Sequence, residues 1–338
     1  MKKILILTFI SALLIGCSKN DDSEVILPET LFKVVTYAVD NIGHQSATVV
    51  GGFNPSFISQ VSEYGICYST SSNPTIAGSH ITATNVDIES GSFSSNLLTL
   101  PQNTTFYARA YGTTSTGTFY GDQITFSTLS QLFTNAGGVT DADGNTYSSI
   151  TINSKQWMKE NLNVSKYKNG DVIPEVTDMA LWDNLTTGAW CYYANDTANG
   201  VTYGKLYNWY AVTDPRGLAP TGWHIPTDQE WTSLTNFLGG TSAAGIKMRD
   251  TGTLWSSTSQ VATNQSGFSA LPGGYSYLTP TYTPAGEPFI GLTNVSWWWS
   301  VTPSTTGLAY SANVNFNNSL NITSSRLKAA FSVRCVKN

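Results

Sequence analysis

Charged side chains are scarce in this chain. Asp, Glu, Lys and Arg make up 12% of 338 residues, and the 17 basic groups, set against 22 acidic ones, form no basic run. Nothing in that pattern provides for neutralising a phosphate backbone, so no nucleic-acid partner is expected. Histidine occurs only at His44, His80 and His224, and no His-Glu-x-x-His, Cys-x-x-Cys, Gly-x-Ser-x-Gly or phosphate-loop pattern is present. Those gaps remove the familiar sequence signatures of metal, redox, acyl-transfer and nucleotide chemistry, and no cofactor or metal is expected. Ser325-Arg326-Leu327-Lys328 matches Ser-x-x-Lys without the other motifs of that enzyme class. A glycosidase pair drawn from Asp183, Asp214, Glu230 or Asp250 finds no support in spacing.

The first residues carry the clearest signal. Met1-Lys2-Lys3 is followed by an apolar run from Ile4 to Ile15, too short to span a bilayer comfortably and laid out like a secretory signal peptide over residues 1–16. Leu14-Ile15-Gly16-Cys17 resembles the bacterial lipobox, in which the cysteine becomes the acylated first residue of the mature chain; the resemblance implies a lipid on Cys17. Residues 17–29 form a polar linker, and its Ser18-Lys19-Asn20-Asp21-Asp22-Ser23-Glu24 stretch resembles the surface-export signals of Bacteroidetes lipoproteins. The expectation is outer-membrane attachment by lipid, with the protein on the cell surface.

Cys17 set aside, Cys67, Cys191 and Cys335 remain, an odd number for an oxidising compartment. Cys67, within Tyr64-Gly65-Ile66-Cys67-Tyr68, reads as a small buried hydrophobe. Cys191 and Cys335 share the second half of the chain and are the expected disulfide, worth roughly 4 to 5 kcal/mol in the chain-entropy picture for so long a loop.

Two textures divide the chain. Residues 30–128 are short β-prone runs, among them Ala47 to Phe53, Gly65 to Ser69, Phe106 to Tyr111 and Gln123 to Ser127, separated by Gly, Pro, Ser and Asn. Phe106, Ala108 and Ala110 alternate with Tyr107, Arg109 and Tyr111, so one face is expected in the core and the other wet. This rhythm fits an all-β antiparallel sandwich. Leu100-Pro101-Gln102-Asn103-Thr104-Thr105-Phe106-Tyr107-Ala108-Arg109-Ala110-Tyr111 resembles the fibronectin type III-like spacers of Bacteroidetes surface proteins. That family often closes a strand corner with a tyrosine hydroxyl; Phe106 occupies the place here and has none.

From residue 134 to residue 338 tryptophans are frequent and helices are expected. Asp141-Ala142-Asp143-Gly144-Asn145 lacks the sixth-position glycine and twelfth-position glutamate of a calcium loop, and reads as an Asp-Gly hairpin turn. Thr227 with Glu230 three residues on is a capping box; Trp231, Leu234 and Leu238 then share a helical face, and Gly239-Gly240 ends the helix. His224 is expected to make a structural hydrogen bond, and His44 and His80 to be exposed.

Trp157-Met158-Lys159-Glu160-Asn161-Leu162, Tyr203 to Ala211, Gly222-Trp223-His224-Ile225-Pro226-Thr227, Gly267 to Gly274, and Phe331-Ser332-Val333-Arg334-Cys335-Val336 follow one another in this half. In that order the five motifs resemble the Fibrobacter succinogenes major paralogous (FISUMP) domain. The resemblance implies an α+β domain of the C-type lectin and formylglycine-generating-enzyme type. The activity does not carry over, because that enzyme needs neighbouring reactive cysteines and this domain has only Cys191 and Cys335. The whole is expected to be multidomain, the sandwich followed by the α+β domain.

Trp297-Trp298-Trp299 and the polar series after it stand apart. In some relatives of that fold the corresponding C-terminal stretch is a ligand-binding surface, and the resemblance makes Trp299, Tyr310, Asn313, Asn315, Asn317 and Arg326 the candidate binding residues. The function expected is a non-catalytic binding or adhesion module for extracellular glycan or protein ligands. The competing readings are a structural envelope lipoprotein with no specific ligand and a carbohydrate-active enzyme.

Overall fold

Runs of β-branched and aromatic residues that break at Gly, Asn and Ser every few positions are too short to sustain helices but suit a meander of short strands. The computed structural model describes residues 32–256, 262–277, 288–315 and 317–338. The expected signal peptide, Cys17 and the linker to residue 29 lie outside the described residues. Strands β1 (Val34–Asp40), β2 (Ala47–Phe53) and β5 (Ser92–Leu97) form one antiparallel sheet in the order β1-β2-β5. Strands β4 (His80–Thr82), β3 (Val61–Ser69), β6 (Thr105–Thr114) and β7 (Gly117–Tyr120) form the other in that order, and β8 (Ile124–Ser127) also pairs with β6. This is a fibronectin type III-like arrangement. Val49, Phe53 and Phe93 from the first sheet meet Ile66, Phe106, Ala108, Ala110 and Phe126 from the second in one core. A Cβ on Gly51 would stand 2.4 Å from that of Ala110, so the two sheets meet there without a side chain between them.

The alternation of β6 puts Phe106, Ala108 and Ala110 in the core, all buried, and it is the burial of Tyr111 on the other face that departs from expectation. Tyr111 is buried on the face expected to be wet, its hydroxyl donating to Glu63 Oε1 at 2.6 Å and the His80 ring set edge-on to it. Side chains of the neighbouring strands, Glu63 on β3 and His80 and Thr82 on β4, meet it at that end of the face. The corner left without a tyrosine hydroxyl is tied by Thr128 instead: its Oγ1 donates to Pro101 O at 2.7 Å and accepts from Thr104 N–H at 3.0 Å. Cys67 is buried as expected, and burial, opposed by the nearby Arg109 charge, pushes its thiol up to about 11.

The rest of the chain is also mostly sheet. Strands β9 (Thr134–Thr140), β10 (Thr146–Ile152), β11 (Lys155–Met158), β14 (Trp223–His224) and β20 (Val336–Lys337) pair in the order β14-β20-β11-β10-β9, which brings the last residues of the chain between two earlier segments. The turn Asp141 to Asn145 joins β9 to β10, with Asp141 Oδ1 accepting from the Asp143 and Asn145 N–H groups. A two-stranded unit pairs β12 (Trp190–Cys191) with β13 (Leu206–Tyr207). A second large sheet holds β15 (Gly273–Ser276), β16 (Phe289–Leu292), β17 (Val295–Pro303), β18 (Leu308–Asn315) and β19 (Leu320–Arg326) in the order β16-β15-β17-β18-β19. Helices α1 (Met179–Trp182), α2 (Thr197–Tyr203) and α3 (Trp209–Val212) are short; α4 (Asp228–Phe237) and α5 (Thr241–Met248) are the longer pair. Helix α4 begins with the full Thr227/Glu230 capping box and buries Trp231 and Leu234, followed by Leu238 at its C-terminal cap.

Strand β17 is buried on both faces, which explains its tryptophan run. Trp298 packs with Trp157, Trp231 and Phe268 on one side, while Trp299 packs with Phe331 on the other. The expected disulfide is not formed: Cys191 and Cys335 are both free and buried. Cys191 sits with Trp182, Ala189, Leu206 and Ala330, and Cys335 belongs to a different core cluster with Met158, Val333 and Tyr147. Each thiol fills a core position of its own, and burial raises the pKa of both.

Candidate functional site

Cross-strand register assembles the candidate ligand face. Trp297 on β17 stands opposite Asn313 on β18, which stands opposite Asn321 on β19, so one row of the sheet carries an indole and two amides on the same face. The amides touch, Asn321 Nδ2 donating to Asn313 Oδ1 at 3.4 Å. Beside them the two-residue period from Gly273 places Tyr275 and Tyr277 together. Their rings lie 5.2 and 6.0 Å from that of Trp297, and Trp297 is backed by Phe331, stacked at 4.8 Å. The Tyr277 hydroxyl reaches Ser325 Oγ at 3.1 Å, and Ser325 in turn contacts Ser311 Oγ at 2.8 Å. Trp297, Tyr275, Tyr277 and Asn321 are half-buried: one part of each is packed and one part is open. The Trp297 Nε1–H has no acceptor among the described residues.

The six residues expected to form a binding strip do not lie together. Trp299 is fully buried, its Nε1–H donating to Tyr207 O at 2.7 Å and its ring 4.5 Å from Phe331, so it is a core residue; the correction follows from β17 having a sheet face on each side and Trp299 lying where that face is covered. Asn313 lies on the Trp297 face but is only 6% exposed. Tyr310, three residues earlier on β18, points to the opposite face and stands across from Ser324. Asn315 is taken up by the hairpin, its Oδ1 accepting from Asn317 N–H at 3.0 Å and Ser319 N–H at 3.3 Å, and Asn317 is exposed in that turn. Arg326 lies at the far end of β19, 3.4 Å from Asp183. Sequence reasoning missed Tyr275 and Tyr277; aromatics spaced by two directly after a strand-like Gly273-Gly274 were the available signal.

Three of the five ordered motifs meet at a separate cleft of about 630 Å³, lined by Lys159, Glu160 and Asn161, by Tyr203 and Gly204, and by Ser269 and Leu271. Glu160 and Asp250 both line it, and Glu160 accepts from the Ser148 N–H at 2.8 Å and its hydroxyl at 2.5 Å. The remaining carboxylates considered for catalysis are dispersed. Asp183 meets Arg326, Asp214 lies 2.8 Å from Arg216, and Glu230 serves the helix cap. Among the described residues no group of three His, Cys, Asp or Glu side chains has the arrangement of a metal site.

Of the histidines, His44 departs from expectation: it is half-buried, edge-on to Phe133 at 5.9 Å, and burial lowers its pKa despite a hydrogen bond to the Thr263 backbone. His80 is exposed. His224 makes the structural contacts expected of it, to Asn338 Oδ1 at 2.7 Å and to Glu230 at 3.0 Å. Burial opposes ionisation of Glu230, but the Thr227 N–H, the Lys155 ammonium and His224 outweigh it and hold the carboxyl at about 2, against an ordinary 4.5. A depressed folded value stabilises the fold above the unfolded value and is lost as pH falls from about 4.5 through about 2. Glu230→Gln is therefore expected to cost about 1 to 2 kcal/mol. In urea titrations the gap from the parent should be constant between pH 5 and 7, narrower at pH 3, and closed near pH 2. A gap of the same size at every pH would show that ionisation of Glu230 contributes nothing.

The profile of the Fibrobacter succinogenes major domain matches residues 150–337. No curated protein matches the chain. Among solved structures, the sensor domain of the anti-sigma factor RsgI4 of Pseudobacteroides cellulosolvens is 18% identical, covering 29% of this chain and 94% of its own, with a TM-score of 0.23. A fibronectin type III domain of the human KIAA0970 protein is 14% identical, covering 34% and 87%, with a TM-score of 0.21. The sixth fibronectin type III domain of human fibronectin type III domain containing protein 3 is 17% identical, covering 31% and 91%, with a TM-score of 0.22. Because the profile takes in more than half of its length, this chain belongs to the Fibrobacter succinogenes major domain family.

Proposed function

We propose that this protein is a lipid-anchored outer-membrane protein of the cell surface, whose second domain is a non-catalytic, C-type lectin-like binding module held out by the sandwich to extracellular glycans. The anchor rests on the signal-like residues 1–16 and Cys17, and the lectin-like reading on the five ordered motifs. The observation that carries the binding reading is the half-open Trp297, Tyr275 and Tyr277 cluster beside the Asn313 and Asn321 amides. Apolar sugar faces stack on aromatic rings, and amides exchange hydrogen bonds with hydroxyls; a face of rings and amides without a net charge matches neutral glycans best.

The test is a glycan array probed with the full chain and its variants. A reproducible signal is expected, reduced at least about ten-fold by Trp297→Ala, the loss of one aromatic anchor. Trp297 also packs on Phe331, so the milder Asn321→Ala is run beside it and is expected to weaken the same signal with unchanged circular dichroism. A blank array, or a signal indifferent to both substitutions, would sink the reading.

A further inference from the structure

At the junction of the two domains, Asn41, Thr48 and Asn96 of the sandwich share a cleft of about 290 Å³ with Arg249, Asp250 and Trp255 of the second domain. The junction is tied by main-chain and amide bonds: Leu132 N–H to Gln265 O at 3.0 Å, Gln265 Nε2 to Ser130 O at 2.7 Å, and Leu129 N–H to Gly43 O at 2.9 Å. The cleft wall is therefore held by both domains.

Arg249 is the unusual member. It is 2% exposed at the C-terminal cap of α5, with its guanidinium 4.2 Å from the centre of the Trp255 ring. Its Nη1 donates to Asn318 Oδ1, but its Nε–H is buried with no acceptor, and no carboxylate pairs with it among the described residues. The adjacent Asp250 turns Oδ1 to the Gly252 N–H at 2.8 Å. The other deeply buried arginine shows what a finished structural site looks like: Arg334 commits Nε and Nη2 to Asn161 Oδ1 and Nη1 to Phe268 O, and it lines neither the 290 Å³ nor the 630 Å³ cleft. Arg249 carries a like charge with one neutral acceptor and an orphaned donor, at the wall of an opening. A guanidinium fork in that condition is matched by a planar oxyanion.

The opposite wall is uncharged and ordered. Asn41 Nδ2 donates to Thr48 Oγ1 at 3.2 Å, and Thr48 Oγ1 donates to Asn96 Oδ1 at 2.8 Å. This relay presents amide and hydroxyl groups of the kind that bind sugar hydroxyls. We propose that the junction cleft binds a carboxylated sugar unit, with the carboxylate against Arg249 and the ring hydroxyls against Asn41, Thr48 and Asn96. The site is separate from the Trp297 face and does not rest on it.

Calorimetric titration of the full chain with D-glucuronate tests this, with D-glucose and sodium sulfate as separate arms. Glucuronate is expected to bind saturably and glucose and sulfate not to bind. Arg249→Gln should abolish the glucuronate signal. Because that change alters a buried residue, Asn96→Asp is the second variant: Asn96 is exposed, aspartate keeps the acceptor for Thr48, and the added negative charge should weaken glucuronate by about ten-fold with the fold intact. Trp297→Ala should leave the titration unchanged, which separates this site from the glycan face. Absence of saturable glucuronate binding would overturn the proposal, as would equal binding of glucose, binding of sulfate alone, or a titration that Asn96→Asp does not move.

Discussion

Asn161→Ala is expected to destabilise the second domain by about 4 kcal/mol, because one neutral side chain satisfies a buried cation and a buried indole at once. Asn161 Oδ1 accepts from Arg334 Nε at 3.1 Å, Arg334 Nη2 at 2.8 Å and Trp298 Nε1 at 2.8 Å, while its Nδ2 donates to Tyr203 O at 2.9 Å and Ser332 Oγ at 3.3 Å. Arg334 is fully buried over the Phe268 ring; burial draws its pKa down to about 9, with Glu160 and Asp250 pulling the other way, so it remains a cation at neutral pH. Alanine leaves that cation with the Phe268 carbonyl as its remaining hydrogen-bond acceptor. All ten tryptophans lie at or after Trp157, so fluorescence in a urea titration follows this domain and not the sandwich. The double change Asn161→Ala with Arg334→Met should recover part of the loss, since it removes the stranded charge. A single-variant cost under about 1 kcal/mol would refute the shared-acceptor account, and a double variant as costly as the summed singles would refute the charge as its cause.

What the sequence revealed and what it concealed follow from range. The Thr227 cap, the helix after it and its Gly239-Gly240 end are written in adjacent residues, and the structure has them. The inward alternation of Phe106, Ala108 and Ala110 was equally local. Tyr111 obeys the same alternation but is covered by neighbours that alternation cannot see, with Glu63 as its hydroxyl's acceptor and His80 against its ring. The Asn161 hub joins residues 42 to 173 positions apart, and no local pattern announces it. In Trp297-Trp298-Trp299 the strand period separates Trp298 from its neighbours. It does not say that the same face is half-open at Trp297 and closed at Trp299, which depends on where Phe331, Tyr275 and Tyr277 fall. Counting cysteines paired Cys191 with Cys335, but burial in separate clusters settled both thiols instead.

Gly245→Ala is expected to cost about 2 kcal/mol even though alanine is the better helix former. Gly245 sits inside α5, where exchanging glycine for alanine would ordinarily gain about 1 kcal/mol. The added Cβ would stand 2.1 Å from the Asn318 carbonyl oxygen and 2.4 Å from its carbon, which are backbone atoms and cannot turn aside. Relieving that overlap means moving α5 off the β18–β19 hairpin; overpacking a close-packed interior costs about 1 to 3 kcal/mol, and an overlap with fixed backbone atoms falls at the upper end, which leaves about 2 kcal/mol after the propensity gain. The movement also pulls Arg249, one residue past the helix, away from Asn318 Oδ1, which accepts from its Nη1. Gly137→Ala is the control, since a Cβ there meets nothing within 4 Å. Urea titration followed by tryptophan fluorescence should show a lower midpoint for Gly245→Ala and an unchanged one for Gly137→Ala. If Gly245→Ala instead stabilised the domain, the close approach of α5 to the hairpin would not be a constraint on this fold, and intrinsic helix propensity would be the stronger effect.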